Sequence, residues 1–288
     1  MDVKKLTISE SAYPSLLRDI AGPPQQLFYR GAEPAAWLEK PRVAIVGSRA
    51  VSPYGTQVTA QLARELAERG IVIVSGLALG VDGIAHQACL DAGGTTVAVL
   101  ANGLDKIYPS THTRLGERIL QQGGTIMSEY PEGTPGHKSN FIARNRIVAG
   151  ISHALLITEA AEKSGTLHTA RFAMEQGRDV LVVPGNITSP GSAGTNNLIK
   201  AGAIPVTGVE DILYALGVTG STHTAQVRKR GDNAEEQAII TLLYQGITDG
   251  HALLTQSNLP AVQFNQALTM LEISGKIRAL GSNQWGIA

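Results

Sequence analysis

One cysteine, Cys89, is all this 288-residue chain has, which excludes an intrachain disulfide and a cysteine-based zinc cluster. Net charge is missing as well: Lys plus Arg and Asp plus Glu stand at 24 each, so any contact with a polyanion must come from a local patch. Aromatics are sparse at 5%. No apolar run is long enough to cross a bilayer, and the Met-Asp-Val-Lys-Lys-Leu start lacks the apolar stretch of a secretory signal. No membrane insertion and a cytoplasmic location are therefore expected. Neither G-x-G-x-x-G nor G-x-x-x-x-G-K-[ST] occurs, so dinucleotide chemistry and P-loop ATP hydrolysis are not signposted. No Ser-His-Asp or Cys-His arrangement stands out by spacing, and no cofactor or metal site is expected.

What the chain does have is glycine, 32 residues of it, with hydrophobic residues at 43% and charged ones at 17%. That mix suits a globular α/β protein with many strand-to-helix turns. From Arg42 the pattern alternates. Strands are read at Val43–Val46, Ile71–Val74, Thr95–Leu100, Thr125–Ser128, Ala154–Ile157, Val180–Val183 and Ala203–Val206. Helices are read at Tyr54–Arg69, Asp82–Asp91, Leu115–Gln122, Thr166–Gln176 and Val209–Leu216. Apolar strands each followed by a helix imply a Rossmann-like, doubly wound, mostly parallel sheet. In such sheets ligands bind beyond the carboxyl ends of the strands. The expected organisation is a leader over residues 1–40 packing on the core, a Rossmann-like domain over 41–219, a linker over 220–233 and a second domain over 234–288. In the last, helices at Glu236–Tyr244 and Val262–Ser274 precede a hairpin of Ile277–Leu280 with Gln284–Ile287, which suggests a small C-terminal winged helix.

The run Lys138-Ser-Asn-Phe-Ile-Ala-Arg-Asn-Arg146 brings an ammonium, an aromatic ring and two guanidiniums within nine residues. Phosphates attract the cations and an unpaired base stacks on the ring, so the run points to single-stranded nucleic acid. Gly47-Ser48-Arg49 ends the first strand at the binding edge; it reads either as a phosphate-accepting turn or as a tight turn with a solvated arginine. Lys163-Ser164-Gly165-Thr166 opens a helix, where amides can receive a phosphate and Ser164 or Thr166 can cap. Ser192–Asn197 reads as a third polar glycine loop. Residues 136–178 carry a surplus of three positive charges. Asp82 reads as a helix cap and His86 as a helix histidine, in preference to a metal pair. Glu129, Glu159 and Asp105 sit at strand ends, where they are expected to accept from nearby arginines rather than catalyse. The winged-helix candidate runs against its type: Glu235, Glu236, Asp249 and Glu272 face only Lys276 and Arg278, so protein contact is as good a reading as DNA contact.

Together these motifs resemble the DNA-processing protein A (DprA, or Smf) family. The resemblance runs in order through Tyr13-Pro14, Pro23-Pro24, Gly47-Ser48-Arg49 with Tyr54-Gly55, and Ser75-Gly76-Leu77-Ala78 to Asp82 and His86. It continues through Gly103-Leu104-Asp105 with Tyr108-Pro109, Ser128-Glu129, Phe141 to Arg144-Asn145-Arg146 and Ala149-Gly150, Glu159-Ala160, Ser164-Gly165-Thr166 and Val183-Pro184-Gly185. It implies a dimeric, non-enzymatic protein that binds and protects incoming single-stranded DNA and loads the RecA recombinase during natural transformation. Carried over by motif, Arg49 grips phosphate, Lys138 neutralises it and Phe141 stacks a base. Gly47, Ser48, Arg144, Asn145, Arg146, Lys163, Ser164, Gly165 and Thr166 complete the expected DNA contacts. Ile142 stands where a proline commonly follows the phenylalanine, and Ala101 where glycine is usual; neither removes a DNA-contacting group. The chain is expected to lack the helical domain that precedes the Tyr-Pro leader in many relatives. The competing reading is a phosphoribohydrolase-like nucleotide-processing enzyme, from which it differs in lacking a Pro-Gly-Gly-x-Gly-Thr loop; a third is a nucleotide-sensing or partner-docking module.

Overall fold

The computed structural model describes residues 2–218, 231–281 and 283–287, and the chain divides into two compact units, Met1–Thr219 and Gly220–Ala288. The linker expected over 220–233 lies outside the described residues as far as residue 230.

The first unit is a nine-stranded sheet. Its strands are β1 (Lys4–Thr7), β2 (Gln26–Gly31), β3 (Arg42–Val46), β4 (Val72–Ser75), β5 (Thr96–Leu100), β6 (Thr125–Ser128), β7 (Ala154–Ile157), β8 (Asp179–Val182) and β9 (Ile204–Pro205). They lie in the order β1-β2-β6-β5-β4-β3-β7-β8-β9. All neighbours from β6 to β9 are parallel, while β1 and β2 from the leader add antiparallel strands at one edge. The alternating reading therefore undercounted the sheet. β2 mixes Gln26, Tyr29 and Arg30 among its apolar residues, and Pro23-Pro24 sits directly before it, so no continuous apolar run marked it as a strand.

The helices are α1 (Ser15–Arg18), α2 (Ala35–Leu38), α3 (Pro53–Glu68), α4 (Val81–Asp91), α5 (Thr113–Gln121), α6 (Lys138–Gly150), α7 (Thr166–Glu175), α8 (Ala193–Lys200) and α9 (Val209–Ala215). Successive strand residues point to opposite faces, and β3 shows the consequence. Val43 and Ile45 join a core with Leu62, Leu66, Ala85 and Cys89 of α3 and α4. Ala44 and Val46 join another with Ile147, Val148 and Ala170 of α6 and α7. Both faces are covered, which is why these strands are apolar throughout. Each fully buried Leu or Ile here contributes about 1.5–3 kcal/mol from apolar transfer.

Chain order reverses across β3, which has β4 on one side and β7 on the other. The loops after β3 and β7 therefore diverge around a crevice, the place where doubly wound sheets take ligands. α3 starts cleanly there: Ser52 caps it by accepting from the Gly55 amide at 3.0 Å, and Pro53 occupies the first turn.

The described residues of the second unit form three helices, α10 (Ala234–Tyr244), α11 (Gly250–Ser257) and α12 (Ala261–Ile273), followed by the hairpin β10 (Ile277–Gly281) and β11 (Gln284–Ile287). This is a winged helix with its own core of Ile239, Ile240, Leu243, Leu253, Phe264, Leu268, Leu271 and Ile277. Asn233 and Asp249 cap α10 and α11 by accepting from Glu236 and Ala252 amides at 2.8 and 2.9 Å. α11 went unread because it is only eight residues long and ends at Asn258 in the left-handed conformation.

Candidate nucleic-acid interface

The loops after β3 and β7 are stitched together by one backbone and one side-chain hydrogen bond. The Ser48 amide donates to the Glu159 carbonyl at 2.8 Å, and the Thr166 hydroxyl donates to the Gly47 carbonyl at 3.0 Å. Ser48 closes its own turn through its hydroxyl, which donates to the Ala50 carbonyl at 2.9 Å. Ser164 accepts from the Thr166 amide at 3.2 Å, a local turn ahead of the helix; the N-cap position of α7 is Gly165, which has no side chain to offer, so neither Ser164 nor Thr166 caps α7. Lys163 and Gly165 are exposed beside it, while Thr166 is buried. Gly47, Ser48, Arg49, Ser164, Gly165 and Thr166 thus share one edge, and Arg49 projects from it into solvent.

The run 138–146 is helical, the first part of α6. A period of 3.6 residues splits it between two environments. Lys138, Ser139 and Ile142 are exposed and Phe141 is half-buried, whereas Arg144 shares a buried face with Ile147, Val148 and Ile151. The Arg49 guanidinium carbon lies 5.8 Å from the centroid of the Phe141 ring, a cation–π distance. Tyr108 adds a second ring, 5.3 Å from that of Phe141 and inclined by 53°. Half of Tyr108 is exposed. A cation and two accessible ring faces therefore meet where the loops after β3 and β5 approach the start of α6.

The geometry corrects the expectation that Arg144 and Arg146 offer cations to the same groove. Arg144 is 4% exposed, and its Nη1 donates to the carbonyls of Gly76, at 2.6 Å, and of Val99. Its Nε donates to Asn145 at 3.3 Å. Burial lowers its pKa to about 10, opposed by the charge of Asp82 and reinforced by that of Arg49. Arg146 forks onto Glu129 at 2.9 and 2.7 Å, and its Nε donates to the Gly22 carbonyl at 3.1 Å. Both guanidiniums hold the fold together.

Other acidic groups also differ from expectation. Glu129 does accept from an arginine, but the buried Glu159 accepts instead from the Ser52 amide at 3.0 Å and from the Ser52 hydroxyl, and Asp105 accepts from the Gly133 amide at 2.8 Å. Asp82 lies inside the first turn of α4, whose cap is Gly80. Its carboxylate reaches back to the amides of Gly76 and Ala78 at 3.1 and 3.3 Å. Burial pushes the Asp82 carboxyl above its ordinary range, with Arg144 and the two amides acting against that. His86 is buried, with its Nδ1 2.6 Å from the Thr96 hydroxyl. Burial first, then the charges of His112 and Arg144, lower its pKa to about 3. Ser192–Asn197 is not a glycine loop: Ser192 ends a 3₁₀ turn that starts at Pro190, and Ala193 to Asn197 are already the start of α8. Among the described residues no group of three or more His, Cys, Asp or Glu side chains comes together, and no helix is long and apolar enough to cross a membrane.

Tyr108 is the functional candidate that sequence reasoning left without a role. Its signal was the Tyr108-Pro109 pair, but only the fold shows that its ring meets Phe141, 33 residues away.

The family model described as DNA recombination-mediator protein A matches residues 4–217, and the DprA winged helix domain model matches residues 223–283. Protein Smf of Escherichia coli is 48% identical over 204 residues, covering 71% of this chain and 54% of the relative. DNA processing protein DprA of Bacillus subtilis is 40% identical over 215 residues, 74% of this chain and 71% of that one. The chain spans a little over half the length of the Escherichia coli relative and 61% of a putative DprA of Mycobacterium tuberculosis. Among solved structures, DprA from Streptococcus pneumoniae superposes with a TM-score of 0.69 at 40% identity, covering 76% of this chain and 75% of that one. DNA processing protein A from Helicobacter pylori, whose structure addresses its single-stranded DNA binding mode, gives 0.68 at 35% identity, covering 76% and 97%.

Proposed function

We propose, from the premise that this chain belongs to the DNA recombination-mediator protein A (DprA/Smf) family, that it binds single-stranded DNA along the edge built by the β3 and β7 loops and the start of α6. The observation that carries this reading is the 5.8 Å approach of Arg49 to Phe141. A guanidinium on phosphate and a ring face under a base are the two attachments that an unpaired strand offers together; a duplex exposes its phosphates but hides its base faces in the stack. Lys138 and Lys163 extend the positive edge, Gly47 and Ser48 shape the turn that presents Arg49, and Ser164, Gly165 and Thr166 anchor the facing loop. Tyr108 supplies a second stacking face.

In this reading the protein acts by binding rather than by catalysis. It protects incoming strands and passes them to the RecA recombinase during natural transformation, working in the cytoplasm as a homodimer, with the C-terminal winged helix available for protein contact. The rival nucleotide-processing reading has less behind it. Glu159, the buried carboxylate at the switch point, is already committed to Ser52.

Gel shifts of oligo-dT against a duplex of equal length test the proposal. Single strands are expected to bind more tightly, with log affinity falling linearly with log salt. Phe141→Ala is expected to cost about 1–3 kcal/mol per stacked base. Unchanged oligo-dT affinity in both Phe141→Ala and Arg49→Ala would overturn the site, and release of free base from a nucleoside monophosphate would favour the enzyme.

A further inference from the structure

Arg144 occupies the same helix as Phe141, three residues on and so on a neighbouring part of the same face, yet its guanidinium is buried in the fold while the Phe141 ring stays half-exposed. Its Nη1 grips the Gly76 carbonyl, 68 residues earlier in the chain, and the Val99 carbonyl at the end of β5. Gly76 is itself built around the guanidinium: a Cβ there would lie 2.5 Å from the Arg144 Cζ. The peptide that Arg144 holds by its oxygen neighbours the amides that Asp82 holds, those of Gly76 and Ala78. Between them Leu77 adopts φ +57°, a left-handed backbone unusual for leucine, with its side chain fully buried. Such a conformation persists only where the surroundings over-determine it, and Arg144, Asp82 and the Leu77 pocket do so here.

The loop then runs directly into the Arg49 turn. Gly80, at φ +77°, passes so close that a Cβ would sit 2.7 Å from the Arg49 carbonyl oxygen, and the Val81 amide donates to the Ser48 carbonyl at 3.1 Å. A continuous chain of contacts thus leads from the helix that carries Phe141, through the 75–80 loop, to the turn that carries Arg49.

We infer that Arg144 and Asp82 are positioning residues for strand binding: the pair pins the 75–80 loop between α6 and the β3 turn, and so sets where the Phe141 ring stands relative to the Arg49 guanidinium. This rests on the single-stranded DNA reading of the edge, and assigns Arg144 a role without phosphate contact. The counterion-release slope separates the two roles. A residue that touches phosphate changes the slope of log affinity against log salt by roughly 0.7 for a single strand, whereas one that acts through another leaves the slope alone.

The experiment uses the full chain with Arg144→Met and, as a charge-neutral variant that displaces the guanidinium by a single methyl, Gly76→Ala. First, without DNA, the ring-to-ring NOE between Phe141 and Tyr108 is measured with selectively labelled aromatics; both variants are expected to weaken or lose it. Second, oligo-dT affinity is expected to fall by roughly 5- to 150-fold, the range of one lost stacked base, with the salt slope of the unmutated chain. In a Phe141→Ala background the same substitutions are expected to cost little more, because they act through the ring. A preserved NOE in a folded Gly76→Ala protein overturns the inference whether or not DNA binds. A slope reduced by about 0.7 in Arg144→Met overturns it in favour of direct phosphate contact. Absence of oligo-dT binding by the unmutated chain, with the NOE lost in the variants, would instead sink the DNA reading and leave the positioning role standing.

Discussion

The two compact units of this chain each carry a helix of the kind that nucleic-acid proteins use, but they dress it differently. In the first, α6 begins at an edge that exposes Lys138 and sets Phe141 against Arg49. In the second, α12 presents Val262, Gln263, Gln266, Thr269, Met270 and Ile273, and its one charged residue is Glu272. Among the described residues of this unit the one lysine, Lys276, spends its ammonium on Asp232 at 2.5 Å, with Glu236 at 3.8 Å. A winged-helix outline is therefore no warrant for DNA contact; the cations must also reach the surface. The first unit teaches the same lesson from the other side. Of its cations near α6, Arg144 and Arg146 are used to build the scaffold, and what remains outside is a narrow positive edge beside two rings. In a neutral chain, a local footprint of that size is the electrostatic term that can steer a strand.

Charge reversal is the strongest way to break the contrast. Arg49→Glu combined with Lys138→Glu is expected to reduce oligo-dT affinity by more than about a hundredfold at moderate salt, by removing counterion release and adding repulsion. Arg278→Glu on the hairpin of the second unit is expected to leave it within about twofold. Equal losses from both, measured by fluorescence anisotropy, would erase the distinction between the units.

Next in size is a pH effect confined to the first unit. His86 is neutral in the fold, with its pKa lowered to about 3 by burial and by the charges of His112 and Arg144, against an ordinary value of 6.5. Below pH 6.5 the unfolded chain takes up a proton that the folded chain refuses, so stability is lost as pH falls, by about 1.4 kcal/mol per unit toward pH 3. His153, lowered by burial and by Arg42, acts in the same direction. Urea midpoints between pH 6.5 and 5 are expected to flatten by one proton's worth in His86→Gln; an unchanged slope would refute the assignment.

The smallest effect isolates the second unit. Asn233→Ala removes the cap of α10 and is expected to cost about 1 kcal/mol of that unit's stability, by thermal denaturation, with no change in oligo-dT affinity. A parallel loss of affinity would mean that the second unit takes part in strand binding.

Much of this molecule was legible before its structure. β6 and β7 run as read, and most other core strands and helices begin and end within a residue or two, because apolar β-branched runs and a 3.6-residue period are local properties. The alternation put Gly47-Ser48-Arg49 at the carboxyl edge of the sheet, but that β3 and β7 are the strands meeting at the switch point came only from the strand order. The antiparallel leader strands were not legible, since β2 has no continuous apolar run and its partner β6 lies about a hundred residues away.

By itself, then, the sequence determined most of the parallel strands and the helices between them, the binding edge and the identity of the groups near it, Arg49, Lys138 and Phe141 among them, though not the leader strands or the helical state of the 138–146 run. Only the tertiary structure decided which cations are free. Lys138, Arg144 and Arg146 look alike within one short run, but Arg144 is claimed by Gly76 and Val99, and Arg146 by Glu129 and Gly22. A guanidinium is available or spent according to the partners that folding brings to it from distant parts of the chain, and no local pattern encodes that.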